Sequence, residues 1–153
     1  MKQRIVSTLV GASIESTPVG PLTDMGWPIT PQGIGDLLVR WTREYPAELP
    51  QLFISENGCA YDDGPGADGR VRDDRRIDYL SRHIASVERA IERGANVGGY
   101  YEWSLLDNYE WALGYEKRFG MVHVDYQTQV RTPKDSAHWY AGVISRNGLP
   151  KAD

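Results

Sequence analysis

A single cysteine, Cys59, is all that the 153 residues contain. An internal disulfide is thereby excluded, and a lone thiol fits a reducing compartment. An excess of positive charge is also missing: 17 Lys and Arg stand against 21 Asp and Glu, a net charge of −4. The basic residues are scattered, which disfavours nucleic acid and anionic membrane as partners. No run approaches the ~20 apolar residues of a membrane helix. The opening MKQRIVSTLVGASIESTP faintly imitates a secretory leader, but Ser7 and Thr8 break its apolar run and Glu15 falls where a small residue would mark cleavage. A cytoplasmic chain is the expectation. Metal ligands are lacking too. His83, His123 and His138 have no ligand spacing and read as surface or packing residues, and the acidic loop YDDGPGADGRVRDD lacks the ligand alternation and closing Glu of a calcium loop. Neither a metal nor a cofactor is expected.

The residues present, 25% of them charged, make an ordinary globular composition of one-domain length. TPQG opens a helix, with Thr30 as N-cap and Pro31 at the first helical position; Ile34, Leu37, Leu38, Trp41 and Tyr45 follow at helical spacing before Pro46. Leu52 to Ser55 reads as a short buried strand. A second helix starts at Asp73 or Asp74, carries Ile77, Leu80, Ile84, Val87 and Ile91 on one face, and stops at Gly94. VGGYYEWS is a further strand, MVHVDY a hairpin strand, and TPKD caps a last helix through Thr132, Pro133 and Asp135, reaching about Arg146. Strands alternating with helices argue for parallel βα units, whose functional groups collect at the strands' C-terminal ends.

Glu56 ends such a strand, against the burial preference of a strand interior. The loop after the next strand, WSLLDNYEWALGYEKRFG, gathers Trp103, Tyr109, Glu110, Trp111, Tyr115 and Phe119. Flat aromatic faces beside carboxylates and amides suit a pyranose, which has an apolar C–H face and a rim of hydroxyls. On these grounds Glu56 is either a glycosidase nucleophile or an acceptor for a sugar hydroxyl. Trp27, Trp41, Trp139 and Cys59 read as packing residues. Glu110 has a second reading, as an ion-pair partner of Lys117 or Arg118.

FISENG resembles the strand-tip element of glycoside hydrolase family 1, the β-glucosidase family. YYEWSLLDNYEWALGYEKRFGMVHVDYQTQVRTPKDSAHWY resembles that family's C-terminal stretch, and PLTDMGWPITPQG the segment leading into it. The likeness covers about residues 20 to 145. It implies an α/β fold, the C-terminal portion of a (β/α)8 TIM barrel with about two to three βα units, incomplete alone. One partial-barrel domain over 1–153 is expected, residues 1–20 being an uncertain N-terminal segment and 21–150 the family-like units. The resemblance further implies that Glu56 is the nucleophile of a retaining double displacement. It implies that Trp103 floors the glycone site, that Glu110 and Trp111 bind the outer hydroxyls, that Phe119 walls the same subsite, and that Asn57, beside the nucleophile, shapes the strand tip and belongs to the substrate-binding set. A fixed anion at Glu110 would repel a 6-phosphate, so unphosphorylated β-glucosides are the expected substrates.

A retaining enzyme also needs a general acid/base carboxyl roughly 5 to 5.5 Å from the nucleophile. The family supplies it from an Asn-Glu-Pro element, and that tripeptide does not occur here; the family's Tyr that hydrogen-bonds the nucleophile is missing as well. The isolated chain is expected to be inactive. It is expected either to dock onto a complementary N-terminal barrel portion or to self-associate, because open strand edges seek partners. An inactive sugar-binding or assembly remnant is the alternative. Glu102, at a strand position where an apolar residue would pack beneath a helix, departs from this pattern.

Overall fold

The computed structural model describes residues 2–8, 11–17, 20–47 and 49–150, with side chains described from residue 20 onward. The N-terminal segment forms an antiparallel hairpin of β1 (Lys2–Thr8) and β2 (Gly11–Thr17), in register from Lys2 opposite Thr17 to Thr8 opposite Gly11. The leader-like reading of this segment rests on side chains outside the described residues. Helix α1 (Pro31–Glu44) begins at the expected proline, whose fixed φ and missing N–H suit a first helical position. Strand β3 (Leu52–Asn57), helix α2 (Asp74–Glu92) and strand β4 (Val97–Glu102) follow, and β3 pairs with β4 in parallel. Gly94, at φ +96°, supplies the left-handed turn that ends α2.

The long segment after β4 holds a 3₁₀ turn at Trp111–Leu113 and a small antiparallel pair, β5 (Val122–Val124) with β6 (Arg131–Pro133). Helix α3 (Asp135–Arg146) closes the described chain. Its start corrects the sequence expectation. Thr132 and Pro133 do not cap the helix, because they pair with His123 and Val122 in the hairpin; Lys134 holds the N-cap position.

The core lies on one side of the β3–β4 pair. Ile54 packs with Leu38 and Val39 of α1, with Val87 and Ala90 of α2 and with Ala95, and Leu52, Val97 and Tyr100 lean on this cluster. Gly35 lets α1 approach α2, since a Cβ there would stand 2.7 Å from the carbonyl of Ser86. A second cluster joins Cys59, Tyr61, Tyr79 and Leu80, flanked by Ile29, Ile84 and Trp139. The opposite face of the strand pair is bare: Phe53 is 55% and Tyr101 58% exposed. Two expected helix stripes are also only partly covered. On α1, Leu38 is buried while Leu37, Trp41 and Tyr45 are exposed; on α2, Leu80 and Val87 are buried and Ile91 is exposed. The buried side of α2 includes Arg76, Tyr79, His83 and Ser86, a polar set that apolar periodicity passes over.

Arg76 is fully buried and joins the start of α2 to two loops. Its Nε donates to Asp73 Oδ2 at 3.0 Å, Nη1 donates to the carbonyls of Phe119 at 2.9 Å and of Cys59, and Nη2 donates to the carbonyl of Arg118 at 2.9 Å. Asp73, also buried, accepts from the backbone N–H of Ser136 at 2.8 Å and from its hydroxyl at 2.5 Å, tying the start of α2 to the start of α3. Removing the guanidinium would strand a buried carboxylate and three carbonyls. Arg76→Ala is therefore expected to lower stability by ~3–5 kcal/mol in urea unfolding; a loss of less than about 1 kcal/mol, the scale of a surface ion pair, would contradict this role.

Candidate active site

The two strand tips are locked together by their own backbones. Gly58 follows β3 so closely against the end of β4 that a Cβ would overlap the carbonyl of Trp103, and Trp103 N–H donates to the carbonyl of Asn57 at 3.1 Å. No residue but glycine fits this approach. The β3 tip therefore meets the start of the aromatic loop.

That loop is shaped from inside by Asp107, whose carboxylate is buried. It accepts from the N–H of Gly120 at 3.0 Å and of Val124 at 3.3 Å, and from Arg118 Nη1 at 3.0 Å, while Lys134 Nζ stands 3.5 Å away. Further out, the turn at residues 110–114 closes with Glu110 N–H donating to the carbonyl of Gly114 at 2.6 Å. Trp111 takes a left-handed backbone at φ 41°, an uncommon conformation for a tryptophan, and its side chain is 81% exposed.

An open cleft of about 490 Å³ lies over the tips, lined by Trp27, Glu56, Asn57, Gly58, Tyr79, Trp103, Glu110, Trp111 and Phe119. Glu56, Asn57, Trp103, Glu110, Trp111 and Phe119, singled out from the sequence, thus converge on one cavity. Within it Glu56 is exposed and Phe119 buried. Glu110 pairs with neither Lys117 nor Arg118 among the described residues: Lys117 Nζ donates to the carbonyl of Asp24, and Arg118 to Asp107 and the carbonyl of Val124. The ion-pair reading of Glu110 is thereby set aside, and Glu110 lines the cleft.

Trp27 corrects its assignment to packing. It is 50% exposed, lines the cleft and leans on Phe119 at 6.1 Å between ring centroids. Tyr79, buried on α2, lines the cleft as well and was not singled out from the sequence. His83 is a packing residue, stacked on Tyr79 at 4.0 Å with Nδ1 2.7 Å from the Tyr79 carbonyl; burial lowers its pKa. Cys59 is wholly buried, and burial pushes its thiol up to about 12, so it is no nucleophile at neutral pH. Among the described residues no group of His, Cys, Asp and Glu could hold a metal ion.

The parallel β3–α2–β4 unit, with its polar and aromatic groups gathered at the strands' C-terminal ends, is part of a (β/α)8 barrel of the glycosidase type. The chain belongs to glycosyl hydrolase family 1, whose model matches residues 3–149 and so takes in the N-terminal hairpin too. It is 53% identical over 129 residues to β-glucosidase A of Thermotoga maritima, covering 84% of this chain and 28% of that protein. A 6-phospho-β-galactosidase of Streptococcus equi subsp. zooepidemicus is 48% identical over 120 residues, covering 78% of this chain and 25% of the relative. The structure of the T. maritima β-glucosidase in complex with glucoimidazole superposes with a TM-score of 0.84 at 49% identity, covering 92% of this chain and 31% of that one. The chain thus spans less than a third of the length of these relatives.

Behind the cleft, both carboxylate oxygens of Glu102 are buried without a hydrogen-bond partner, as is Lys134 Nζ. Glu102 lies on the helix-covered face of β4, and burial raises its pKa to about 8, against the pull of Arg76 and Lys134. The folded chain therefore keeps a proton between about 4.5 and 8 that the unfolded chain has released. The contribution is full below about 4.5 and is lost as pH rises toward 8. Glu102→Gln is expected to match the parent in thermal melts at pH 5 and to exceed it at pH 9; melting curves that stay parallel across this range would refute the assignment.

Proposed function

We propose that this chain is the nucleophile-bearing part of a retaining β-glycosidase acting on unphosphorylated β-glucosides. The observation that carries the reading is the convergence of Glu56, Trp103, Glu110, Trp111 and Phe119 on one open cleft. Glu56 attacks the anomeric carbon, forms a glycosyl-enzyme and expels the leaving group; water then releases the sugar with retained configuration. Trp103 floors the glycone, and Trp111 and Glu110 take its outer hydroxyls, with Phe119 as a wall. Trp27 joins that wall.

The fixed charge of Glu110 favours a neutral sugar over a phosphosugar, which sets the β-glucosidase-like reading above that of the phosphogalactosidase relative. Among the described residues Glu56 and Glu110 are the only carboxylates lining the cleft, and one is assigned to sugar hydroxyls, so the acid/base comes from elsewhere. Its absence costs about 10²- to 10⁴-fold in rate. The rest of the barrel supplies it, docking on the bare face of Phe53 and Tyr101 and on the exposed flank of Leu37, Trp41 and Tyr45. Without that portion these surfaces drive self-association. A second reading, a sugar-binding or assembly remnant without turnover, draws support from the missing Asn-Glu-Pro element.

An aryl β-glucoside assay separates the two. The chain alone is expected to be inactive, whereas a mixture with the complementary N-terminal portion of a family member is expected to turn over and to lose activity with Glu56→Gln. A mixture that folds into one complex and stays inactive favours the remnant, and turnover untouched by Glu56→Gln removes Glu56 from the mechanism.

A further inference from the structure

The register of β3 against β4 slips at the carboxylate. Ile54 lies opposite Tyr100 and Asn57 opposite Glu102, so three steps on β3 answer two on β4. Ser55 and Glu56 occupy the extra length. A bulge of this kind re-aims a side chain, and it does so only if its two ends are held, because an unpinned register can slide.

The hydrogen bonds at Asn57 hold them. Tyr100 already faces Ile54 through the backbone, and its Oη donates to Asn57 Oδ1 at 2.6 Å. One residue thereby grips β3 on both sides of Glu56. The other end of the Asn57 amide donates from Nδ2 to Tyr79 Oη at 3.4 Å, a longer bond to helix α2. Tyr100 is itself fixed by its carbonyl, which accepts from Tyr140 Oη of α3 at 2.9 Å. Both phenols stay protonated at neutral pH: burial pushes Tyr79 up to about 12 and raises Tyr100 further. The donor that Asn57 Oδ1 needs is therefore always present.

We propose that Tyr100, with Tyr79, is a positioning residue that clamps the bulge through Asn57 and so sets the direction of the Glu56 carboxylate. The inference rests on the reading of Glu56 as nucleophile. It gives Asn57 a fixed internal partner at each end of its amide instead of a sugar hydroxyl.

Two measurements test it. In nitrogen–proton correlation spectra of the chain, the Asn57 side-chain amide, assigned by its loss in Asn57→Asp, is expected to be shifted and protected from exchange. In Tyr100→Phe, which removes the donor to Oδ1, it is expected to shift, and in Tyr79→Phe, which removes the acceptor of the Nδ2–H, to move toward free-amide values, while the far-ultraviolet circular dichroism spectrum is retained. In the complemented mixture, Tyr100→Phe is expected to lower kcat about ten- to a hundredfold with KM little changed, the mark of a misaimed nucleophile rather than a lost sugar contact. Tyr79→Phe should give a smaller loss of the same kind, and it decides the matter if Tyr100→Phe does not fold. Turnover that neither variant alters, or an Asn57 amide that Tyr100→Phe leaves unmoved, overturns the clamp. No turnover in the unsubstituted mixture overturns the glycosidase reading, and the catalytic role of the clamp with it.

Discussion

A buried guanidinium organises this chain. Arg76 reaches from α2 to the carbonyls of Cys59, Arg118 and Phe119, and its partner Asp73 reaches on to Ser136 at the head of α3. The loop after β3, the end of the aromatic loop and the two later helices are thus referred to one cation. A planar group with five N–H donors can serve carbonyls from several segments at once, which a lysine's single ammonium cannot do in the same geometry. Desolvation of such a charge is expensive, and the surrounding acceptors offset it. The cleft inherits its shape from this arrangement, because Phe119 enters it directly beside a backbone carbonyl that Arg76 holds.

Asp107 repeats the device on a smaller scale. Its carboxylate gathers the N–H groups of Gly120 and Val124 with the side chain of Arg118, so the loop folds around a charge instead of an apolar centre. The loop can then spend its aromatic residues on the cleft. Trp111 stands outward on a left-handed backbone, and Trp27 and Phe119 meet in the wall. Glu102 is the exception, a carboxyl placed among these buried ions with no donor of its own.

Local signals were enough for the elements that local rules govern. Pro31 opened α1 and Gly94 stopped α2 where backbone preference predicts, and the parallel pairing of β3 and β4 followed from their alternation with helices. The motif around Glu56 and the loop from Trp103 to Phe119 hold seven of the nine residues that line the cleft, whereas Trp27 and Tyr79 come from elsewhere in the chain and escaped. What escaped depended on distant partners. Arg76 binds carbonyls 42 and 43 residues away and Asp73 a serine 63 residues away, separations to which periodicity is blind. Thr132 and Pro133 carried a convincing capping signal and were claimed by a hairpin instead. The exposed flank of α1 was misjudged for the opposite reason: Leu37, Trp41 and Tyr45 have the right spacing, but nothing among the described residues covers them.

The strand pair divides its labour by face. Ile54, Val97 and Tyr100 supply cohesion on the helix side, while Phe53, Tyr101 and Trp103 on the other contribute little to holding this chain together. Selection for a foldable polypeptide therefore bears on one surface and is nearly blind to the other. Were such a sequence released from selection for chemistry, mutation would erase the indoles and the acid first and leave a sound scaffold behind.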